Sequence, residues 1–160
     1  MNLHEFNILP KEQLTEELLK CCGSAAWVQQ MLPYIPADDM VELLEDAEEQ
    51  WWKCTPGDWK EALQQHPRIS NVQTLQQRFT AAEEELQELA AAGKDYEEKF
   101  GFPFITFGNA RTPAALLAMV NARLQNDPQK EIELAADEQN KIHHPVRPSA
   151  SSRPRPTTSC

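Results

Sequence analysis

A histidine followed by a proline is the feature of this sequence best suited to proton chemistry. Trp59, Ala62, Leu63 and His66 fall at helical spacings of i, i+3, i+4 and i+7, and Pro67 follows directly. The spacing predicts that the imidazole lies on the apolar face, in the last turn of a helix that Pro67 ends. A titratable ring held in this way could act as a general acid or base. A core or helix-terminal histidine with an ordinary hydrogen bond would fit the same pattern.

The start of that helix carries its own signals. Thr55 can cap the helix, Pro56 suits the first helical position, and Asp58 stands where a capping box places its acid. The helix that presents His66 is therefore predicted to begin at Thr55.

Length and charge limit the classes of function. The chain has 160 residues and a net charge of −10, which predicts one domain and argues against nucleic acid or an anionic membrane as the main partner. No apolar run is long enough to span a bilayer, and the first residues lack a signal-peptide pattern.

The cysteines and histidines do not show the spacing of metal ligands. Cys21 and Cys22 are adjacent, as are His143 and His144, and no C-x-x-C motif occurs. We therefore predict no metal site. The same cysteine usage favours a reduced protein of the cytoplasm.

Helical periodicity dominates the rest of the chain. Helix starts are predicted near Pro10, Ser24, Asp38 or Asp39, Thr55, Thr80, Thr112 and Asp127, and one or two further helical turns are predicted after Ser70. The pattern predicts an all-α fold, a single helical bundle domain of roughly seven or eight helices.

Two segments depart from this pattern. Residues 102–107 form an apolar run that we interpret as a short buried extended segment, because one such run cannot make a sheet alone. Residues 145–160 are rich in Pro, Ser and Arg and are predicted to be a disordered tail. The helical domain is therefore assigned to residues 1–144.

Several motifs together resemble the 2-oxo-4-hydroxy-4-carboxy-5-ureidoimidazoline (OHCU) decarboxylases. They are Phe6-Asn7, Trp27, His66-Pro67-Arg68-Ile69, Asp95 through Ile105, Ala122 through Pro128, and Glu131 through Ile142. The Tyr-x-x-Lys-Phe-Gly-Phe-x-Phe pattern starting at Tyr96 is the most specific of them. The resemblance covers residues 1–142 and implies an all-α, usually dimeric protein.

The resemblance also implies roles for individual residues. His66 would be the catalytic proton donor, Pro67 would line the site, and Glu83 would be the second catalytic group. The substrate-binding set would be completed by Thr80 and Glu84, and by backbone groups of Phe104, Ile105, Thr106, Phe107 and Gly108. Thr80 and Glu83 equally fit a simple capping box of the following helix.

The implied reaction is a cofactor-free decarboxylation of the ureidoimidazoline to (S)-allantoin in urate and purine catabolism. The substrate carries its carboxylate next to a ring C=N bond, which can accept the electrons left by carbon dioxide, so no metal or organic cofactor is needed. The implied protein is a carboxy-lyase and a homodimer whose partner is this small molecule.

Some positions depart from the family pattern. Ser70 stands where the family has glycine, and it would be strained if that position required positive φ. The segment between Arg68 and Tyr96 is shortened, and Pro145 interrupts the last helix before Arg147. An alternative therefore stays open, in which a catalytically impaired homologue acts as a helical binding or assembly protein.

Overall fold

The computed structural model describes residues 2–107 and 112–143. Within these ranges the chain forms helices joined by turns, with no β-strand, as an all-α fold requires. The helices are α1 Leu3–Asn7, α2 Lys11–Cys21, α3 Ala25–Met31, α4 Met40–Trp52, α5 Pro56–Leu63, α6 Val72–Arg78, α7 Glu83–Phe100, α8 Pro113–Leu124 and α9 Pro128–His143, and a 3₁₀ turn spans Leu32–Tyr34. The predicted fold class is confirmed, with the five-residue α1 as an element that periodicity did not predict.

Contacts divide the chain into two compact units, and the divisions fall inside α5 and α9. In the described ranges the first unit holds residues 2–62 and 140–143, and the second holds residues 63–107 and 112–139. The predicted domain boundary at residue 144 and the predicted tail lie outside the described residues, as does Arg147.

In the first unit, local capping and buried tryptophans organise α2 to α5. Ser24 accepts a hydrogen bond from the Trp27 backbone N–H, which caps α3. The buried Trp27 indole donates from Nε1 to the backbone carbonyl of Ala47 in α4 at 3.0 Å. Thr55 and Asp58 form the predicted capping box at the start of α5, where each accepts a hydrogen bond from the other's backbone N–H.

The second unit is built around α7, which packs against α6 and α8. Leu86, Leu89, Tyr96 and Phe100 form its buried face. The helix ends at Gly101, which has φ of +80° and so adopts a conformation that glycine enters without steric cost. The predicted end of this helix is thereby confirmed.

An aromatic cluster follows the end of α7. Phe102 and Phe104 are buried in the extended segment, and both rings meet the Tyr96 ring edge-on, at centroid distances of 5.8 and 5.3 Å. Residues 102–105 are all buried, whereas Phe107 is 46% exposed. The prediction of a buried extended segment is confirmed for residues 102–105 and is wrong for Phe107.

In residues 2–107 and 112–143, no helix combines the length and the apolar character needed to cross a bilayer. Within the same ranges, no group of three or more His, Cys, Asp or Glu side chains could hold a metal ion.

Candidate active site

The loop between α5 and α6 lines an open cavity of about 660 Å³. Its lining residues are His66, Pro67, Arg68, Ser70, Asn71, Val72 and Gln73. Asn71 holds the far side of the loop, because its side-chain oxygen accepts hydrogen bonds from two backbone N–H groups at the start of α6. The cavity therefore contains His66 and Pro67, two of the residues that the sequence assigned to the site.

His66 does not lie in the last turn of a helix, as predicted, but in the loop after it. Helix α5 ends at Leu63, and the His66 N–H bonds the Leu63 carbonyl in a turn. The physical reason is Pro67, whose ring would clash with the carbonyl four residues earlier and which disfavours helical geometry at His66. The imidazole is half-buried. The conformation of the loop, and not a position on a helix face, determines its orientation.

The ring of His66 contacts a buried amide from a distant part of the sequence. Its Nε2 is hydrogen-bonded to Oε1 of Gln139 in α9, across 73 residues of sequence. Gln139 is only 1% exposed. The sequence placed Gln139 on the inner face of its helix, but no signal linked it to His66.

Arg68 is tied to α7 and to the end of α5. Its guanidinium forms an ion pair with Glu97 and donates from Nη2 to Oε1 of Gln64 at 2.5 Å. Gln64 in turn donates from Nε2 to the Gly101 carbonyl at 2.6 Å. Arg68 is also one of the residues that line the cavity, and these bonds connect it to α7 and to the end of that helix.

Helix α7 lies close against the loop at Gly93. A Cβ atom at this position would lie 2.6 Å from Cγ1 of Ile69 and 3.0 Å from the backbone nitrogen of Ser70. The missing side chain is therefore what allows the loop to rest on the helix. Ser70 itself does not have positive φ, so the strain considered from the sequence is absent.

A buried charged network underlies the extended segment. Glu131 in α9 accepts hydrogen bonds from the Tyr96 hydroxyl at 2.5 Å, from Nε of Arg123 at 2.6 Å and from Nδ2 of Asn126 at 2.9 Å. Arg123 also pairs with Glu131 through Nη2 and lies over the Phe104 ring, 4.7 Å from its centroid. Burial, followed by the hydrogen bond to Glu131, raises the pKa of Tyr96 far above its ordinary value, so the hydroxyl stays protonated.

Arg123 of this network and Glu138 hold two backbone groups of the segment that the resemblance assigned to ligand binding. Arg123 donates from Nη1 to the Ile105 carbonyl at 2.8 Å, and the Phe107 N–H donates to Glu138 at 3.0 Å. Phe104 and Ile105 are buried, and Thr106 is half-buried. Gly108 lies outside the described residues.

The remaining predicted site residues lie at the start of α7, and the cavity lining does not include them. Thr80, Glu83 and Glu84 are all exposed, and Glu83 accepts a hydrogen bond from Gln87. The predicted capping box is wrong, because Ala82 is the N-cap and no side chain caps this helix. Three glutamates in the first turn stabilise its positive end instead.

Sequence reasoning missed the roles of Arg123, Glu131 and Gln139. Arg123 and Glu131 were seen as parts of motifs, but not as an ion pair. Their register was the available signal, because each stands three or four positions from predicted inner residues of its helix. Opposite charges on two inward faces indicate a buried pair.

A known protein family matches most of the chain. The family model described as OHCU decarboxylase matches residues 7–145. The uric acid degradation bifunctional protein TTL of Arabidopsis thaliana is 34% identical over 143 residues, which cover 79% of this chain and 44% of that protein. The chain thus spans less than half the length of this curated relative.

Solved structures agree in fold. A crystal structure of an OHCU decarboxylase in the presence of (S)-allantoin superposes with a TM-score of 0.70 and 36% identity, covering 81% of this chain and 92% of that one. A crystal structure of an (S)-allantoin synthase also gives a TM-score of 0.70, at 19% identity, and covers 89% of this chain and 51% of that one. At that identity the second comparison concerns the fold alone.

Proposed function

This chain belongs to the OHCU decarboxylase family, and from that premise we propose that it is a carboxy-lyase converting 2-oxo-4-hydroxy-4-carboxy-5-ureidoimidazoline to (S)-allantoin. The observation that carries the proposal is the position of His66 on the wall of a cavity of about 660 Å³, beside the cationic group of Arg68. An imidazole can exchange protons near neutral pH, and a guanidinium attracts a carboxylate substrate.

The chemistry breaks one C–C bond, turns the hydroxyl into a carbonyl and adds a proton to the ring nitrogen and to the adjacent ring carbon. When the C–C bond to the carboxylate breaks, carbon dioxide leaves and its electron pair moves toward the adjacent C=N bond, whose nitrogen takes a proton from water. His66 takes the hydroxyl proton and returns a proton to one face of the ring carbon, which gives one enantiomer. The substrate is its own electron acceptor, so the proposal needs no cofactor or metal.

We assign supporting roles to the residues around this histidine. Pro67 and Arg68 line the cavity. The backbone of Phe104 to Gly108 is proposed to bind carbonyl oxygens of the substrate, supported by the way Arg123 and Glu138 hold part of that segment in place.

Glu83 is proposed as the second ionisable group, with Thr80 and Glu84 beside it. Its support is its place in the family motif. Its side chain is exposed in the first turn of α7 and bonds Gln87. Comparing Glu83→Gln with Glu85→Gln, an exposed acid in the same turn, tests this role. Equal turnover in the two variants would remove Glu83 from the mechanism.

Turnover is the decisive experiment. The unstable substrate is generated in place from urate by two upstream enzymes, and the optical activity of the allantoin is followed over time. The wild type is expected to enrich (S)-allantoin well above the racemic background, and His66→Ala is expected to lose at least about 100-fold in rate. His4→Ala changes an exposed histidine and serves as the matched control. Background rates in the wild type would refute the proposal.

The exposed position of Glu83 supports a second candidate, a homologue that binds ligand without turning it over. Calorimetry separates the two functions. Allantoin that raises the Tm of the wild type, in the absence of turnover, would favour the binding protein. Turnover at enzymatic rates would exclude it.

We further propose a homodimer in the cytoplasm, as the family resemblance implies. Exposed apolar side chains such as Ile8, which is 68% exposed, are available for subunit contacts. Light scattering coupled to gel filtration tests the assembly, since a monomer mass at micromolar concentration would reject it.

A further inference from the structure

We propose that Gln139 is a positioning residue that holds His66 in the Nε2–H tautomer, so that Nδ1 is the atom that exchanges protons with the substrate. The tautomer follows from the contact itself. The part played by Nδ1 in turnover rests on the proposed function.

The two groups differ in what they can donate and accept. A neutral imidazole carries one ring proton, and a carboxamide oxygen can only accept hydrogen bonds. Because Oε1 of Gln139 faces Nε2 of His66, Nε2 must donate. The lone pair then resides on Nδ1, the nitrogen that can take a proton from a bound molecule.

Burial of the amide favours a hydrogen bond in which Nε2 of His66 donates to Oε1 of Gln139. Gln139 is 1% exposed on α9, whereas the ring of His66 is half-buried at the cavity wall. A buried amide oxygen without a donor would lose its hydrogen bond to water and gain nothing in return. The amide therefore holds one edge of the ring and leaves the other edge for the cavity.

A loop residue has a particular need for such a partner. His66 lies beyond the end of α5, so helical hydrogen bonds do not fix its backbone. The bond to Gln139 supplies the orientation that helical phase would otherwise give. This is the role that a buried partner plays for catalytic histidines whose second nitrogen must be kept in one protonation state.

Two substitutions of similar size separate positioning from simple packing. Gln139→Glu keeps an acceptor facing Nε2, whereas Gln139→Met keeps the length of the side chain and removes the hydrogen bond. Asn140→Leu is the matched control, because Asn140 is a buried amide at the next position of α9.

The first measurement is the tautomer, read by ¹⁵N NMR of histidine-labelled protein without substrate, at an alkaline pH where the ring is neutral. The spectrum of His66→Ala identifies the His66 signal among the four histidines. We expect the Nε2–H form in the wild type and in Gln139→Glu, and a mixture of forms in Gln139→Met. The Nδ1–H form in the wild type, switching in Gln139→Glu, would mean that the amide presents its NH₂ group, and would overturn the proposal.

The second measurement is turnover in the coupled assay. Gln139→Met is expected to lose about 10- to 100-fold in kcat with little change in KM, Gln139→Glu to recover part of that loss, and Asn140→Leu to keep the wild-type kcat. Equal kcat losses in Gln139→Met and Asn140→Leu would mean that Gln139 acts only through packing, and would overturn the proposal. If Gln139→Met does not fold, the wild type and Gln139→Glu still decide the tautomer.

The two measurements distinguish failure of the proposed function from failure of this inference. A wild type without turnover but with the Nε2–H form would refute the proposed function, and the positioning of the His66 ring by Gln139 would still stand.

Discussion

Arg123 donates a hydrogen bond from Nη1 to the backbone carbonyl of Ile105 at 2.8 Å, which ties α8 to the extended segment. The same guanidinium pairs with Glu131, which also accepts the Tyr96 hydroxyl. These side chains belong to the motifs on which the family resemblance rested. In this structure, those motifs hold a backbone segment in place, and the cavity is lined by the separate His-Pro-Arg loop.

Removing the charge of Glu131 is expected to destabilise the protein strongly. In Glu131→Gln the Arg123 guanidinium, whose side chain is only 13% exposed, loses its fully buried counter-charge, and breaking such a pair costs about 3 kcal/mol. Urea denaturation measures the change in the free energy of unfolding. Glu133→Gln is the control, because Glu133 is exposed on the same helix and its loss should change stability by less than about 0.5 kcal/mol. Equal effects of the two substitutions would contradict the buried pair.

Gly93→Ala is expected to displace the loop that carries His66. The new Cβ would meet Ile69 and the backbone of Ser70, and such overpacking costs about 1–3 kcal/mol, which exceeds the gain in helix propensity of about 1 kcal/mol. Thermal unfolding and kcat report the two effects. Gly57→Ala is the control, because its Cβ would meet only Oγ1 of Thr55, at 3.7 Å. A Gly93→Ala protein with wild-type Tm and kcat would refute the close approach.

The Arg68–Glu97 pair is expected to matter more for substrate binding than for stability. The two side chains are 42% and 17% exposed, so Glu97→Gln should cost only about 0.5–1 kcal/mol. Arg68 would lose one of its two anchors at the cavity wall, and KM should rise by about 3- to 10-fold, since a weakened ionic contact of that size is worth about 1 kcal/mol. Glu49→Gln breaks the exposed pair with Lys53 and should leave KM unchanged. An unchanged KM in Glu97→Gln would mean that the position of Arg68 does not contribute to substrate binding.

The buried thiol of Cys22 predicts a loss of stability in alkaline solution. Burial raises the pKa of Cys22 from 9.0 to about 12, so above pH 9 the unfolded chain releases a proton that the folded chain retains. The stabilising contribution is complete below pH 9 and decreases above it, by about 1.4 kcal/mol at pH 10. The free energy of unfolding should therefore fall less between pH 8 and pH 10 in Cys22→Ala than in the wild type. Parallel pH profiles would contradict this prediction.

Local signals in the sequence were enough to place most helices. The side-chain oxygens of Ser24, Thr55 and Thr112 each accept a hydrogen bond from the backbone N–H three residues later, which caps the helix start. Gly101 ends α7 in the predicted way. Thr80 shows the limit of such signals. The motif is present, but α7 begins without a side-chain cap.

The site was predictable only in part, because its contacts join distant segments. The local pattern singled out His66 for proton chemistry, and the family resemblance assigned Pro67 beside it to the site. The bond from His66 to Gln139 spans 73 residues, and a glutamine on an inner face gives no indication of its partner. The fit of the loop against Gly93 likewise depends on packing, which a sequence pattern does not encode.

The way the extended segment is held has a consequence for protein quality control. Phe102 to Phe107 is an apolar run in which side chains, rather than a neighbouring strand, engage backbone groups such as the Ile105 carbonyl and the Phe107 N–H. Once released, such a run offers unpaired backbone edges and aromatic side chains to other chains. We therefore expect damage to the Arg123–Glu131 pair to appear first as self-association and chaperone capture, before the helices themselves melt.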